Sequence, residues 1–276
     1  MKRNQVAPVT VRIDSDLLVF SAGFGAESSW RKEGNEDSPP PFDKAREMLD
    51  MAVANITFEA GGEGAIPILY LTGSTNFRDN IATIQPYKGN RDESKKPFHF
   101  LNLRAYIAGA YDYRIQEPFE ADDLMAMDQI GSIIKGEGDS SIIASRDKDL
   151  KMVDGWHYSW EMGKQPAFGP FYVEGYGEIS LDTKRKLKGY GRKFFLAQCI
   201  MGDRTDNIQG IPGAGDVGAF ECLALTTSYL EGLEAVREAY EGFYGHSGDS
   251  QLLENGRLLW MTCGVDEKGD PILWSF

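Results

Sequence analysis

The stretch MGDRTDNIQGIPGAG, residues 201–215, decides how the rest of the chain is read. Asp203 and Asp206 stand three positions apart, immediately before a turn framed by Gly210, Gly213 and Gly215. A Gly-x-Pro-Gly-x-Gly turn is the hairpin of a helix-hairpin-helix. Glycines there let backbone N–H groups come close to a phosphate at the start of the next helix. An ordinary Pro-Gly turn between two helices has the same composition. The paired acids just upstream are what move the reading toward phosphate chemistry. FFLAQCIMGD (194–203) predicts the helix before the turn, and GIPGAGDVGAFECLALT (210–226) predicts the turn and the helix after it.

Outward from this stretch lie three more acidic groups. VTVRIDSD (9–16) starts with alternating β-branched residues and ends on Asp14 and Asp16, as a strand tipped with acids does. EADDLMAMDQIGSII (120–134) has helical spacing and opens on Glu120, Asp122 and Asp123. SSIIASRD (140–147) is another strand ending in acid, with Asp147 followed by Asp149. Acids in a first helical turn are favoured by the macrodipole alone, and an Asp-x-Asp pair alone is commonly a solvated turn. Four groups at strand and helix ends of one chain point elsewhere. In an open α/β sheet, ligands bind beyond the carboxyl ends of the strands, so these nine carboxylates could converge on one edge. Gathered together they need cations. Oxygen donors with no cysteine or histidine suit Mg2+ or Mn2+. The number of acids exceeds what one ion takes, and two ions are the arrangement that serves in-line displacement at phosphorus.

Between these markers, residues 42–58, 98–109, 231–243 and 249–262 predict helices, and 66–72 and 111–116 predict strands. Strands alternating with helices predict an α/β fold, a mostly parallel sheet flanked by helices, with a C-terminal helix-hairpin-helix region. Residues 25–41, polar and ending in three prolines, are expected to be an exposed loop. Residues 151–180 are expected to be an insertion carrying a hairpin. The organisation expected is an α/β core over 1–150. The insertion, glycine turn and C-terminal helices fill 151–276, and both parts form one compact unit.

Composition narrows the function. The three cysteines and three histidines are scattered, which disfavours a disulfide framework, a zinc site and a Ser-His-Asp triad. No apolar run is long enough for a membrane span, and MKRNQVAPVT lacks the apolar core of a secretion signal, so a cytoplasmic protein is expected. The net charge of −13 disfavours nucleic acid if taken alone. Setting aside the nine clustered acids leaves −13 + 9 = −4, and bound divalent ions would invert the local field. Bases are also concentrated. KRKLKGYGRK (184–193) holds six, among them Lys184, Lys186 and Lys188, and no acid, as a phosphate-binding surface or a solvated face does. Arg78, Tyr87, Lys88 and Arg91 mix aromatic and basic groups, which suits a nucleotide contact or a charged surface loop.

Taken in order, IDSDLLVF, NFR…YKGNR, EADDLMA, SRDKDLK and MGDRTDNI-x-GIPGAG resemble the flap endonuclease-like 5′ nucleases. That family includes the 5′-nuclease domain of DNA polymerase I and the phage 5′→3′ exonucleases. The resemblance is nearest to the gene-6-type exonucleases of short-tailed phages, whose closing segment is similar to GRLLWMTCGVDEKGDPILWSF. It implies a PIN-like core and metal-dependent 5′→3′ hydrolysis of duplex DNA or an RNA–DNA hybrid, with flap cutting or RNase H activity as companions. It implies one ion on Asp14, Glu120, Asp122 and Asp123, with Asp16 beside them. A second ion falls on Asp147, Asp149, Asp203 and Asp206. Lys88 and Arg91 fall near the scissile phosphate, and a K+ ion falls at the glycine turn. One departure stands out. Where the family has an aspartate before the aromatic-Arg pair, this chain has Gly73, so part of the first shell would be missing or supplied from elsewhere. Two rivals remain at this level. A haloacid-dehalogenase-type phosphatase would use Asp14-Ser-Asp16 and the later Gly-Asp pattern. A non-catalytic, structure-specific DNA-binding protein would keep the fold without the chemistry.

Overall fold

A computed structural model describes residues 8–91 and 95–276. The chain forms two compact units interleaved along the sequence. The first takes in residues 8–75, 95–146 and 155–172, and the second 76–91, 147–154 and 173–276. This differs from the division at residue 150 expected from the sequence. The chain leaves the first unit between Arg146 and Asp147 and re-enters it at Gly155.

The first unit is built on a sheet of six strands in the order β3-β2-β1-β4-β5-β6. In chain order its elements are β1 (Thr10–Asp14), α1 (Ser15–Lys32), α2 (Phe42–Gly61), β2 (Ile66–Tyr70), α3 (Phe100–Ala110), β3 (Tyr113–Arg114), α4 (Ala121–Ile134), β4 (Ser141–Ala144), β5 (Gly155–Ser159) and β6 (Phe168–Val173). β1 pairs in parallel with β2 and β4, β2 with β3, and β4 with β5. Strand order reverses between β1 and β4, which is the switch point where ligands of open α/β sheets bind. Val11, Ile13, Leu69, Ile142 and Ala144 are fully buried, as strands covered on both faces require.

Two expectations need correction here. The supposed loop 25–41 is helical as far as Lys32. Ala22 and Ala26, four apart, are buried small residues, and a Cβ at Gly25 would lie 3.3 Å from Met48 Sδ of α2. Close helix packing outweighs the polar composition, and Glu27–Arg31 adds an i,i+4 pair at 3.0 Å. Likewise, 151–180 is not simply an insertion. Every residue of β5, GWHYS, is buried, and β5 extends the main sheet. Its aromatic residues read as irregular because they do not alternate with polar ones.

The second unit contains a β-hairpin, β7 (Glu178–Leu181) with β8 (Leu187–Tyr190), then α5 (Gly191–Met201). The two-residue strands β9 (Gly202–Asp203) and β10 (Ile208–Gln209) pair antiparallel and lead to α6 (Asp216–Leu223), α7 (Tyr229–Tyr244) and α8 (Gly248–Leu259). Its core holds Leu196, Ile200, Leu223, Val236, Tyr240 and Leu252. The closing segment packs back onto the helices. Trp274 lies edge-on to Phe195 at 5.4 Å, and a Cβ on Gly256 would come within 2.2 Å of its ring. The mixed sheet flanked by helices, with its C-terminal joined helices, is the α/β architecture expected from the sequence.

Candidate metal and nucleic-acid site

In the first unit, the acids sit at the C-terminal end of β1 and at the start of α4. Asp14 ends β1, is 8% exposed, and accepts a hydrogen bond from Ser145 Oγ at 3.0 Å, just past the end of β4. Glu120 caps α4, and Asp123 reaches back to the Glu120 N–H at 3.2 Å, so the pair forms a capping box. Both are buried, while Asp122 is half-buried. Asp16 is spent on structure. Its Oδ1 accepts from Arg104 at 2.7 Å and its Oδ2 from the Thr72 N–H at 2.9 Å. Thr72 Oγ1 in turn accepts from the Ala121 N–H at 3.0 Å, which ties this loop to the start of α4.

Gly73 does not leave an empty corner. A Cβ built there would be 2.4 Å from Glu117 Oε1. The Glu117 carboxylate accepts the N–H and hydroxyl of both Ser74 and Thr75. Those bonds, the Ser74 N–H foremost, hold its pKa down at about 2. A carboxylate therefore lies beside position 73, and it comes from the turn before α4.

In the second unit, Asp147, Asp149, Asp203 and Asp206 come together with the 76–91 segment. Asp149 and Asp203 are each 6% exposed. Lys148 Nζ lies 2.7 Å from Asp149 Oδ1 and 2.5 Å from Asp203 Oδ2. Burial, then the charge of Asp147, raises Asp149 to about 7 against the pull of Lys148. Asp147 is also raised, chiefly by burial. Burial raises Asp203 as well, but the Lys148 hydrogen bond and charge and the Thr205 and Asp206 amides outweigh it, leaving it lowered. Asp206 Oδ1 lies 2.6 Å from Arg91 Nη2 and 3.9 Å from Lys88 Nζ. Its backbone oxygen accepts from the Lys88 N–H at 2.9 Å. Lys88 adopts a left-handed φ of 53°, held by that bond.

Not every expected contact faces outward. Arg78 is 0% exposed and donates to the carbonyls of Leu258 and Trp260 at 2.9 and 2.8 Å, bracing the end of α8. Tyr87 is buried, its hydroxyl 3.2 Å from Asp206 Oδ2. Both side chains hold the segment in place rather than offering a stacking face. Gly210 is also structural, since a Cβ would meet Ile200 O at 2.2 Å. Gly213 has a φ of +84°, and a Cβ on Gly215 would meet open space. Lys184, Lys186 and Lys188 are exposed on the β7–β8 hairpin. Lys186 Nζ is 3.0 Å from Asp216 Oδ2 at the start of α6, which joins the basic run to the glycine turn.

Sequence reading passed over Lys148, Gln198 and Glu117. Lys148 stood between two acids in DKD, and Gln198 was the one polar residue inside FFLAQCIM, so both left a signal. Gln198 is fully buried and donates to Asp149, and its Oε1 has no hydrogen-bond partner among the described residues.

Among the described residues, no group of three or more His, Cys, Asp or Glu is gathered as a metal cage. The donors fit a hard divalent ion by their chemistry: buried carboxylates, with Asp147 and Asp149 raised by burial and neighbouring acids, plus an orphaned amide oxygen.

No family model matches the chain. The exodeoxyribonuclease of Enterobacteria phage T3 is 32% identical over 210 residues, covering 74% of this chain and 63% of that protein. The exonuclease of Escherichia phage T7 is 31% identical over the same length and shares. The chain is similar in sequence to these phage exonucleases. It spans 63% of the length of the two phage relatives. The DNA polymerase I of Bacillus caldotenax is 29% identical over 162 residues, covering 56% of this chain and 17% of the polymerase. Two solved structures are similar in fold. The flap endonuclease of bacteriophage T5, solved with DNA and metal ions, has a TM-score of 0.58 at 16% identity. That match covers 91% of this chain and 89% of the T5 chain. The T5 5′-exonuclease with bound zinc gives 0.54 at 18% identity, covering 92% and 89%. Nothing in these likenesses favours the phosphatase rival.

Proposed function

We propose that this chain belongs to the 5′-nuclease family and is a divalent-metal-dependent exonuclease that removes nucleotides 5′→3′ from duplex DNA ends. The observation that carries the proposal lies in the second unit. The nearly inaccessible Asp149 and Asp203 share Lys148, and Asp206 pairs with Lys88 and Arg91 of one segment. Acids packed this way are costly without cations, and bases beside them suit a phosphodiester.

In this reading Asp147, Asp149, Asp203 and Asp206 hold one Mg2+ or Mn2+, and Asp14, Glu120, Asp122 and Asp123 hold the other. Bound ions there supply neutralisation of phosphate charge and a more acidic water. The chain's own residues do the rest. Asp16 and Glu117 fix the 72–75 loop against α4. Lys88 and Arg91 neutralise phosphate oxygens. The amides of Gly213 and Gly215 hold the duplex backbone, with K+ as a further counter-ion, and Lys184, Lys186 and Lys188 extend the grip.

End trimming is favoured over flap cutting by the span between Arg91 and Glu120. Its helix α3 is not an independent arch. Leu103 and Ile107 are fully buried in the first unit, and Arg104 pairs with Asp16. The proposed place of action is the cytoplasm of a phage-infected cell. Among the described residues no helix is long and apolar enough to cross a membrane.

The test is metal-dependent cleavage with site variants. Activity should require Mg2+ or Mn2+. Asp147→Ala and Asp203→Ala should each lose most turnover while circular dichroism shows a folded protein. Full activity in either variant would remove the assignment of the second ion.

A further inference from the structure

Each of Asp149, Asp203 and Asp206 is held by a cation of the protein itself. Lys148 bridges Asp149 and Asp203, and Arg91 pairs with Asp206. The two sides of these pairs differ in freedom. The Asp149 and Asp203 side chains are 9% and 5% exposed, fixed within the unit. Asp149 is further held by Gln198, and Asp203 by the Thr205 N–H at 2.7 Å. The Lys148 and Arg91 side chains are 48% and 49% exposed. Long, half-solvated side chains have solvent to turn into, whereas the carboxylates cannot follow. A divalent ion brings twice the charge to the same oxygens and loses no side-chain rotamers on binding. Gln198 supplies an independent pointer. Its orphaned, fully buried Oε1 belongs to the amide that touches Asp149. Such an oxygen is unfavourable unless a cation or its water meets it.

We propose that Lys148 and Arg91 are exchangeable counter-ions: a divalent cation takes their place on Asp149, Asp203 and Asp206, and the displaced ammonium and guanidinium turn to a DNA phosphate. This rests on the nuclease reading above and makes Lys148 a positioning residue of the same site. It also explains why the acids do not stand as a ready-made cage. No bond is made or broken, since the exchange trades one set of ion pairs for another. By linkage, metal and DNA each tighten the other by the same factor, and Lys148 and Arg91 carry part of that factor.

The experiment is calorimetric titration of the full chain with Mn2+, with and without a duplex whose 5′ end carries phosphorothioate linkages. Wild type is compared with Lys148→Met and Arg91→Met. Without DNA, both variants should bind Mn2+ several-fold more tightly than wild type, because the internal competitor is gone. The tightening caused by DNA should shrink in both. Equal or weaker Mn2+ binding without DNA, or an unchanged response to DNA, would overturn the exchange. Loss of Lys148 also leaves two acids facing each other, so melting is followed in parallel, with Lys148→Gln as a second variant. Mn2+ should raise the melting temperature of the Lys148 variants more than that of wild type. If Mn2+ does not rescue variants that fail to fold, Lys148 is structural and the exchange is wrong. Cleavage by wild type in Mg2+ is read separately. No cleavage combined with tighter Mn2+ binding in the variants would sink the nuclease reading and keep the exchange.

Discussion

Replacing Asp149 by asparagine should stabilise the metal-free protein much more at pH 8 than at pH 5. Asp149 is buried beside Asp147, and its carboxyl is raised to about 7 from an ordinary 3.8. Between those values the folded protein keeps a proton that the unfolded chain releases. The contribution to stability is therefore full below pH 4 and is lost as pH rises through 7. At about 1.4 kcal/mol per pKa unit, the ionised carboxylate costs the fold about 4 kcal/mol at pH 8. Asparagine removes that cost and still accepts the Gln198 hydrogen bond. The pull of Lys148 is already contained in that value. A gain of about 4 kcal/mol raises the melting temperature by about 8 °C in a chain of this size. The assay is thermal unfolding in EDTA at pH 5 and pH 8, variant against wild type. Adding Mg2+ at pH 8 should reverse the order, because only wild type keeps all four acids. A variant that melts at or below wild type at pH 8 in EDTA would refute the claim that burial and Asp147 dominate over Lys148.

Other substitutions separate structural from functional roles. Gly73→Asp should raise, not lower, the Mg2+ concentration for half-maximal cleavage, because its side chain would displace Glu117 from Ser74 and Thr75; a lower requirement would show that the position lacks an acid. Gly215→Val has room for its side chain and should melt like wild type while weakening duplex binding about tenfold (about 1.4 kcal/mol); unchanged affinity in a gel-shift assay would count against the turn as a duplex clamp. Arg78→Ala should cost about 3 kcal/mol of stability by chemical denaturation, because two buried carbonyls lose their donor; a stable variant with weakened DNA binding would return Arg78 to the DNA surface. A blunt or recessed 5′ end should be trimmed faster than a long flap with a bulky terminal block is cut at its base, measured on matched duplexes, and equal rates would contradict end trimming.

Much of the architecture could be read from pattern. VTVRID and SSIIA are short, β-branched and bounded, and they became neighbouring parallel strands, the first ending on Asp14. What failed was composition used as a proxy for conformation. GAESSWRK looks like a loop, yet Ala22 and Ala26 let α1 lie close to α2, a tertiary effect that local propensity does not carry. WHYSW lacks alternation because both faces of β5 are covered. At the site, residue types were legible and their partners were not. Nothing in NFR says that Arg78 turns inward to carbonyls 180 and 182 positions away. Nothing in LTGST says that a glutamate over forty residues on fills the space beside Gly73. Such pairings are set by topology, which brings together turns far apart in sequence. The interleaving of the two units is equally invisible, because the crossing at Arg146–Asp147 falls inside the motif SRDKDLK.

The central claim is directional, metal-dependent hydrolysis from 5′ ends. It is tested most directly on a blunt DNA duplex carrying a different fluorophore at each 5′ and 3′ terminus, incubated with the protein in Mg2+ and in EDTA. The account predicts that 5′ labels leave first as mono- or short oligonucleotides, that 3′ labels persist on shortening strands, and that neither is released in EDTA. Release of 3′ labels first, or of either label without a divalent ion, would contradict it.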